Sequence, residues 1–424
     1  MCRKTAYSMT EPKTGPLRVL GLSFDSLSSF NYPQYRLFWL GGLFSCIGMW
    51  SLVFGRLWLM HSLTPEEYML GLVTACSLGP ILFLSIWGGV LADRVNRRVL
   101  LIITRFIIAA LCLLTAILIT VGAMTPMLLL VISFVTGVLL AFDIPARAAM
   151  LPGLVPRPAI VNAIVLYSMA ISGSAILGPG FFGILVDNFG IDSIFYLVAA
   201  AYGVVVLLFY VMSPTPRPQK TKSSPVSDLK QGLQYLKLNK GILGVILMGI
   251  FTGVFGMSFE TLLPAFAKLV YVKDVSVYSN MLLSLGIGGM LSTVILAKFA
   301  NTKNSMRIML VTGVLFSLSI IAFGLNSSIS IGYVLIGLTG SLSFAYLTVN
   351  STIVQFSTDD RYRGRVMSIH QWTWGSTSVG GFLIGLTASY LNPQLAVAMF
   401  GFVTLVVITG FYFWSKSKLQ TQGA

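Results

Sequence analysis

The sequence predicts an all-α integral membrane fold of twelve transmembrane helices in two pseudo-symmetric six-helix bundles. Three observations lead there. Of the 424 residues 56% are hydrophobic and 10% charged, with a mean hydropathy of +0.86, which is too apolar for a soluble chain of this size. Twelve apolar stretches reach the length of about 20 residues that crosses about 30 Å of hydrocarbon. Basic residues gather in every second connection between those stretches, the pattern of loops retained in the cytoplasm.

In chain order, residues 1–36 are polar, carry Arg3, Lys4, Lys13, Arg18 and Arg36, and read as a cytoplasmic segment. The span that follows is too long for a signal-peptide core and lacks a small-x-small cleavage site, so it is expected to be retained. The first bundle, 37–213, holds spans at 37–61, 68–92, 99–122, 126–148, 160–187 and 191–213. Residues 214–240 form a basic cytoplasmic linker with Pro214, Pro216, Pro218 and Pro225, whose part from Asp228 to Leu238 suits a short helix along the membrane surface. The second bundle, 241–415, holds spans at 241–266, 277–299, 306–326, 329–355, 366–390 and 394–415, and 416–424 is a cytoplasmic tail.

Charge placement accounts for the balance of 28 Lys and Arg against 13 Asp and Glu, a net of +15. One set of loops carries Arg94, Arg97, Arg98, Arg147, Arg157, the linker residues, Lys298, Lys303, Arg307, Arg361, Arg363, Arg365, Lys416 and Lys418. The opposite set carries Glu66, Glu67, Asp187, Asp192 and Asp274 beside Lys268 and Lys273. Topology explains the excess, so no nucleic-acid partner is expected and both termini are placed in the cytoplasm. Cys2, Cys46, Cys76 and Cys112 form no CxxC pair, and His61 and His370 lie far apart, so no disulfide framework, metal site or cofactor is expected.

Ionisable residues inside spans are functional candidates, because lipid penalises them. At 1.5 Å per residue, Arg56 is about 28 Å into the first span and Glu260 about 29 Å into the seventh, near the outer face. Either has a transport role or snorkels to water. Asp143 and Arg147 stand one turn apart and suit an i,i+4 pair near the inner end of the fourth span. His370, with Gln371, lies inside the eleventh span as a proton relay or a packing histidine. The polar residues of that span, Gln371, Trp372, Thr373, Trp374, Ser376 and Thr377, are the exceptions in a cavity expected to be apolar and aromatic.

The most specific motif is Gly88-Gly89-Val90-Leu91-Ala92-Asp93-Arg94-Val95-Asn96-Arg97-Arg98. It resembles the loop signature between the second and third helices of the major facilitator superfamily. The resemblance implies two six-helix bundles around a central cavity and alternating access. A conformational gate is then expected at Gly89, Asp93, Arg94, Arg97 and Arg98: a glycine permits close helix approach, and Asp93 pairs in one of two conformations only. Asp143 and Arg147 are expected to join that gate. Asn96 stands where the family usually has Gly, a residue type that tolerates a left-handed turn.

Asn31-Tyr32-Pro33-Gln34-Tyr35-Arg36-Leu37-Phe38-Trp39-Leu40-Gly41, Pro145-Ala146-Arg147-Ala148-Ala149-Met150-Leu151-Pro152 and Tyr362-Arg363-Gly364-Arg365-Val366-Met367-Ser368 look like the bacterial enterobactin-exporter and macrolide-efflux branch. Gly173, Gly178, Pro179 and Gly183 are similar to the antiporter motif of superfamily exporters, or serve simple small-residue packing. Arg361, Arg363, Gly364 and Arg365 form the basic loop of the second half, and the halves echo each other at Leu91-Ala92-Asp93-Arg94 and Leu296-Ala297-Lys298-Phe299.

The function expected from the resemblance is secondary active export of an amphipathic small molecule, such as a drug or siderophore, by a monomer in a bacterial-type inner membrane. Protons are the implied coupling ion, although no span carries a central carboxylate and Met49 follows Gly48 where the branch often has an acid or amide. A lysophospholipid flippase or a solute importer is the alternative on the same fold. A primary pump is disfavoured because no G-x-x-x-x-G-K-[ST] loop is present. An intramembrane enzyme would need convergent polar residues at depth that the sequence does not offer, and a receptor would show no flux.

Overall fold

In hydrocarbon only a helix satisfies every backbone group within one crossing segment, and the computed structural model is built almost wholly of helices. It describes residues 24–213, 225–296, 305–359 and 361–421. The extreme N-terminus, the linker at 214–224, the basic residues Lys298 and Lys303 and the side chains of Asp93, Lys416 and Lys418 lie outside the described residues.

The helices are α1 (Pro33–Leu63), α2 (Glu67–Arg94), α3 (Arg97–Thr120), α4 (Pro126–Met150), α5 (Ile160–Phe189) and α6 (Asp192–Val211), then α7 (Pro225–Leu238) and α8 (Lys240–Phe251). After the irregular stretch 252–270 come α9 (Val275–Leu296), α10 (Ser305–Leu325), α11 (Ile329–Ser357), α12 (Arg363–His370), α13 (Trp372–Gly375), α14 (Thr377–Tyr390) and α15 (Pro393–Thr421). One face carries the short turns at 64–66, 121–125, 190–191, 271–274, 326–328 and 391–392 and is here called the turn face. The opposite, basic face carries the connections at 95–96, 151–159 and 358–362. Helix α7 begins slightly earlier than the sequence suggested and packs on α12, where Asp228 receives Arg365 Nε at 2.8 Å and Tyr235 stacks on Tyr362. Helix α15 continues through residues the sequence placed in the tail.

Among the described residues, eleven helical runs are long and apolar enough to cross a membrane. The expected eleventh span differs: it is broken into α12, α13 and α14. The seventh is also irregular past α8, with π turns at Thr252–Gly256 and Phe266–Val270 on either side of a 3-10 turn at Met257–Leu262. The cause is mutual. The two segments meet backbone to backbone at Gly253 and Gly380, and the Ser376 hydroxyl donates to Ile250 O at 3.0 Å and Thr373 O at 2.8 Å, competing with the helical ladder.

Two details at the second connection correct the sequence reading. The glycine that lets α2 close on α4 is Gly88, whose added Cβ would overlap Ala141 O, whereas Gly89 faces open space. Asn96 has φ −66° and is not left-handed; its side chain caps α3 by accepting from Arg98 N at 3.0 Å.

The halves meet along two seams, α2 against α14 and α5 against α9. Within the second half, α9 and α11 cross closely enough that a Cβ on Gly288 would overlap Gly337 O. Gly288→Val is therefore expected to cost at least about 1–3 kcal/mol, seen as a lower thermal-unfolding midpoint in detergent. Gly203→Ala on α6, where nothing stands within 4 Å, serves as the unperturbed comparison. Equal midpoints for both variants would refute the crossing.

Candidate functional site

The first half is organised around one buried carboxylate. Asp143 on α4 is 0% exposed and is gripped by Arg105 of α3, also 0% exposed: Arg105 Nε donates to Oδ1 at 2.8 Å and Nη2 pairs with Oδ2. Arg147, one turn further along α4, reaches Oδ2 at 2.9 Å, and Thr104 Oγ1 donates to Oδ1 at 3.2 Å. The Arg105 guanidinium lies 4.8 Å over the Tyr202 ring of α6, and Arg147 Nη1 reaches the Tyr167 hydroxyl of α5 at 3.4 Å. The Asp143–Arg147 pair thus exists with the spacing the sequence offered. Arg105 was missed, although it is the one charged residue of 99–122 and that isolation was its signal.

Arg56 is 3% exposed, so it does not snorkel to water. Its Nη2 donates to Thr136 Oγ1 at 2.7 Å, while Nε has no acceptor among the described residues. Glu260 is half-buried in the 3-10 turn between the two π turns, and no hydrogen bond or ion pair of its carboxylate is found among the described residues. His370 is buried and shares a 2.8 Å hydrogen bond with Asn350 Oδ1, whose Nδ2 donates to Val245 O at 3.0 Å. That ties α12, α11 and α8 together as packing does, with no acid in the chain of contacts.

The hydrogen bonds described between the halves all lie near the turn face. Lys268 Nζ donates to Ser62 Oγ at 3.3 Å and sits 4.9 Å over the Trp58 ring. Trp58 stacks on Tyr278 with centroids 5.3 Å apart, Phe182 meets the same tyrosine edge-on at 5.6 Å, and Tyr278 OH donates to Phe54 O at 3.2 Å. Ser279 Oγ donates to Pro179 O at 3.0 Å, Tyr68 N to Ser389 Oγ at 2.9 Å, and the Thr74 and Thr261 hydroxyls are 3.4 Å apart. At 1.5 Å per residue, each of these first-half residues is within about 15 Å of the turn face. Trp58 and Tyr278 were invisible as a pair in the sequence because nothing in their spacing links them.

The other sequence candidates fall around this frame. Gly183 faces Ser279 across the α5–α9 seam, Gly178 lies against Trp50, and Gly173 faces open space. At the basic face Arg97 donates to Ala92 O at 3.1 Å and Ala149 O at 2.8 Å, while Arg98 donates to Phe209 O at 2.6 Å and to Tyr210 O. Both arginines thereby bind ends of neighbouring first-half helices. Arg94 is exposed. In the second half Arg363 donates to Gln355 O at 3.0 Å, Arg361 is exposed beside the Tyr362 ring, and Gly364 meets nothing within 4 Å. Gln371 and Trp374 are both exposed.

A family model described as transmembrane secretion effector matches residues 24–422. The chain belongs to that family, within the major facilitator superfamily. It is 25% identical over 381 residues to the staphyloferrin A transporter of Staphylococcus aureus, covering 89% of this chain and 95% of the relative. It is 23% identical over 388 residues to the enterobactin exporter EntS of Shigella boydii, covering 89% and 90%. Among solved structures, an inward-facing bacterial homolog of the human lysosomal transporter Spinster superposes with a TM-score of 0.68 at 16% identity over 90% of this chain and 96% of that one. The nucleoside transporter NupG superposes at 0.67 and 15% identity, over 90% and 98%. These structures share the fold. This secretion effector is a multi-pass membrane transporter and not an enzyme.

Asp143→Asn leaves two buried guanidiniums without their counter-charge, and breaking such a buried pair costs about 3–5 kcal/mol. The expected outcome is a sharply lower unfolding midpoint or a loss of folded protein in detergent. Arg105→Lys, which keeps the charge and loses the fork, should fall between that variant and the parent. An unchanged midpoint for Asp143→Asn would contradict the central place of this carboxylate.

Proposed function

We propose that the protein is a secondary exporter of an amphipathic small molecule of the siderophore or drug class, working by alternating access in a bacterial inner membrane. The observation that carries this reading is the one-sided seam: the aromatic and hydrogen-bonded contacts between halves gather at the turn face. With the basic face in the cytoplasm, the molecule is closed outward, which is the loading state of an exporter. The relatives' names, one a siderophore transporter and one a siderophore exporter, support the cargo class and the direction.

In this reading the basic-face cluster of Asp93, Arg94, Arg97 and Arg98, backed by Asp143 and Arg147, is the opposite gate, and its contacts re-form when the turn face opens. The second-half loop of Arg361, Arg363, Gly364 and Arg365 is its counterpart, and the bent α5 with Gly178, Pro179 and Gly183 is a sliding surface. Glu260 is the proton-coupling group: it is the one acid within the apolar spans of the second half, its carboxylate has no hydrogen bond or ion pair among the described residues, and it sits beside the closing contacts.

The direct test is uptake of amphiphilic dyes, macrolides and catecholate siderophores into everted vesicles, with and without a protonophore. Uptake that collapses with the proton gradient is expected, and Glu260→Gln should abolish the gradient dependence. Uptake that ignores the gradient in the parent protein would remove the proton-coupling assignment, and no uptake of any compound would remove the exporter reading.

The closure has its own test. Ser62→Cys combined with Lys268→Cys should cross-link under oxidation and stop flux, with recovery on reduction. Full flux in the cross-linked protein would show that the turn face does not have to open.

A further inference from the structure

The interior of the first half carries a charge that the described protein does not neutralise. Among the described residues it buries three guanidiniums, Arg56, Arg105 and Arg147, against one carboxylate, Asp143. Both oxygens of Asp143 are occupied by Arg105 and Arg147. Arg56 is left with the Thr136 hydroxyl, a neutral acceptor that itself donates to Ile132 O at 2.7 Å. Its Nε points at no acceptor. No ion pair to Arg56 is found among the described residues, and a cation so placed is costly without a counter-charge.

The same guanidinium borders a void. A space of about 20 Å³ lies between Arg56, Val73, Thr74 and Ser77, with Val53 and Leu57 closing it from α1. That is room for one water-sized body. The wall at Thr74 is in turn covered by Thr261 of the opposite half at 3.4 Å. Arg56 therefore lines this space at a depth of about 10 Å from the turn face, and Thr74 on the same wall touches the opposite half.

We propose that Arg56 is an anion-binding site and that the transported cargo carries an anionic group, of the carboxylate class, which Arg56 grips. In the outward-closed state the void is too small for an organic molecule and holds a small monovalent anion such as chloride. When Thr261 withdraws with its half, the site opens to the cleft and the carboxylate of the cargo replaces the small ion on the guanidinium fork. The bound anion supplies the negative charge that the bundle lacks. This assignment rests on the transporter reading for the identity of the second anion, and on Arg56, its orphan donor and the void for the site itself.

Two measurements test it separately. In detergent, thermal unfolding of the parent, Arg56→Gln and Arg56→Lys is followed against sodium chloride and, for ionic strength, sodium isethionate, whose organic sulfonate is too bulky for the void. A saturable rise in midpoint with chloride beyond that with isethionate is expected for the parent, because a ligand that binds only the folded state stabilises it. Arg56→Gln should lose that rise, and Arg56→Lys should keep it with half-saturation weakened by about tenfold. Equal responses in the parent and Arg56→Gln, or a response to both salts alike, overturn the site.

In everted vesicles, Arg56→Gln should lose uptake of carboxylate-bearing compounds by about tenfold or more while neutral amphiphiles still move. Equal loss of both classes overturns the recognition role. If the parent moves nothing, the transport reading fails, and the detergent measurement still decides whether Arg56 holds an anion.

Discussion

The first half depends on one ion cluster, Asp143 held by Arg105 and Arg147. Through it α3 is tied to α4, and the same two arginines extend to Tyr202 on α6 and Tyr167 on α5. Four of the six helices are thus referred to a single carboxylate. In a low-dielectric interior such a cluster is stable only as a whole, because removing any charge leaves the others uncompensated. Its consequence is mechanical as well as energetic: relative sliding of α3 and α4 would break the fork, so the cluster holds these helices in register. The corresponding polar contact of the second half contains no carboxylate: it joins His370 with Asn350 and Val245. There the helices are broken, at 252–270 and at 371–376, so the irregular backbone and the carboxylate-free contact occur together.

The seam between the halves is built from weaker material. Its parts are single hydrogen bonds, at about 0.5–1.5 kcal/mol each net, an aromatic stack of about 0.5–1.5 kcal/mol and glycine-mediated contact along α2 and α14. Together they amount to a few kcal/mol, comparable with the 5.5 kcal/mol or so that reverses a two-state population from 1:99 to 99:1. A closure of that strength can be undone by the binding of a ligand or a proton, whereas the Asp143 cluster cannot. In the proposed alternating-access cycle, this difference in magnitude separates the part that stays rigid from the part that opens.

Much of the architecture was legible in the sequence because hydropathy and charge placement are properties of single segments. The spans, the short turns and the basic loops needed no knowledge of neighbours, and the Asp143–Arg147 pair needed only one turn of helix. What escaped the sequence required a second element. Arg105 gains meaning only from Asp143 on another helix, Trp58 only from Tyr278 in the other half, and Gly88 rather than Gly89 faces Ala141 because of the rotation of α2 against α4. The break at 371–376 likewise follows from its contact with Gly253 and Ile250, which apolar length does not encode. Asn96 shows the limit of motif reasoning: a substitution for glycine was read as a left-handed turn, and the chain uses its side chain as a helix cap instead.

Two buried arginines of the first half illustrate two uses of one residue type. Arg105 has its carboxylate and a ring beneath it, with Nη1 alone lacking a partner among the described residues, and its fork fixes where α3 stands. Arg56 has one hydroxyl, an orphan nitrogen and a void at its side. A charge whose partner is part of the chain contributes to the fold in every conformation; a charge whose partner comes from outside contributes only when that partner is bound. The energy difference between those two conditions is available for coupling, because a ligand shifts a conformational equilibrium only by as much as its affinity differs between the states. Arg56 and Thr74 line one space, and Thr74 touches Thr261 of the other half, so in the proposed reading movement at the seam changes access to Arg56. The placement of an uncompensated charge at the closing contact, rather than its mere presence in the membrane, is what makes it a candidate for coupling binding to movement.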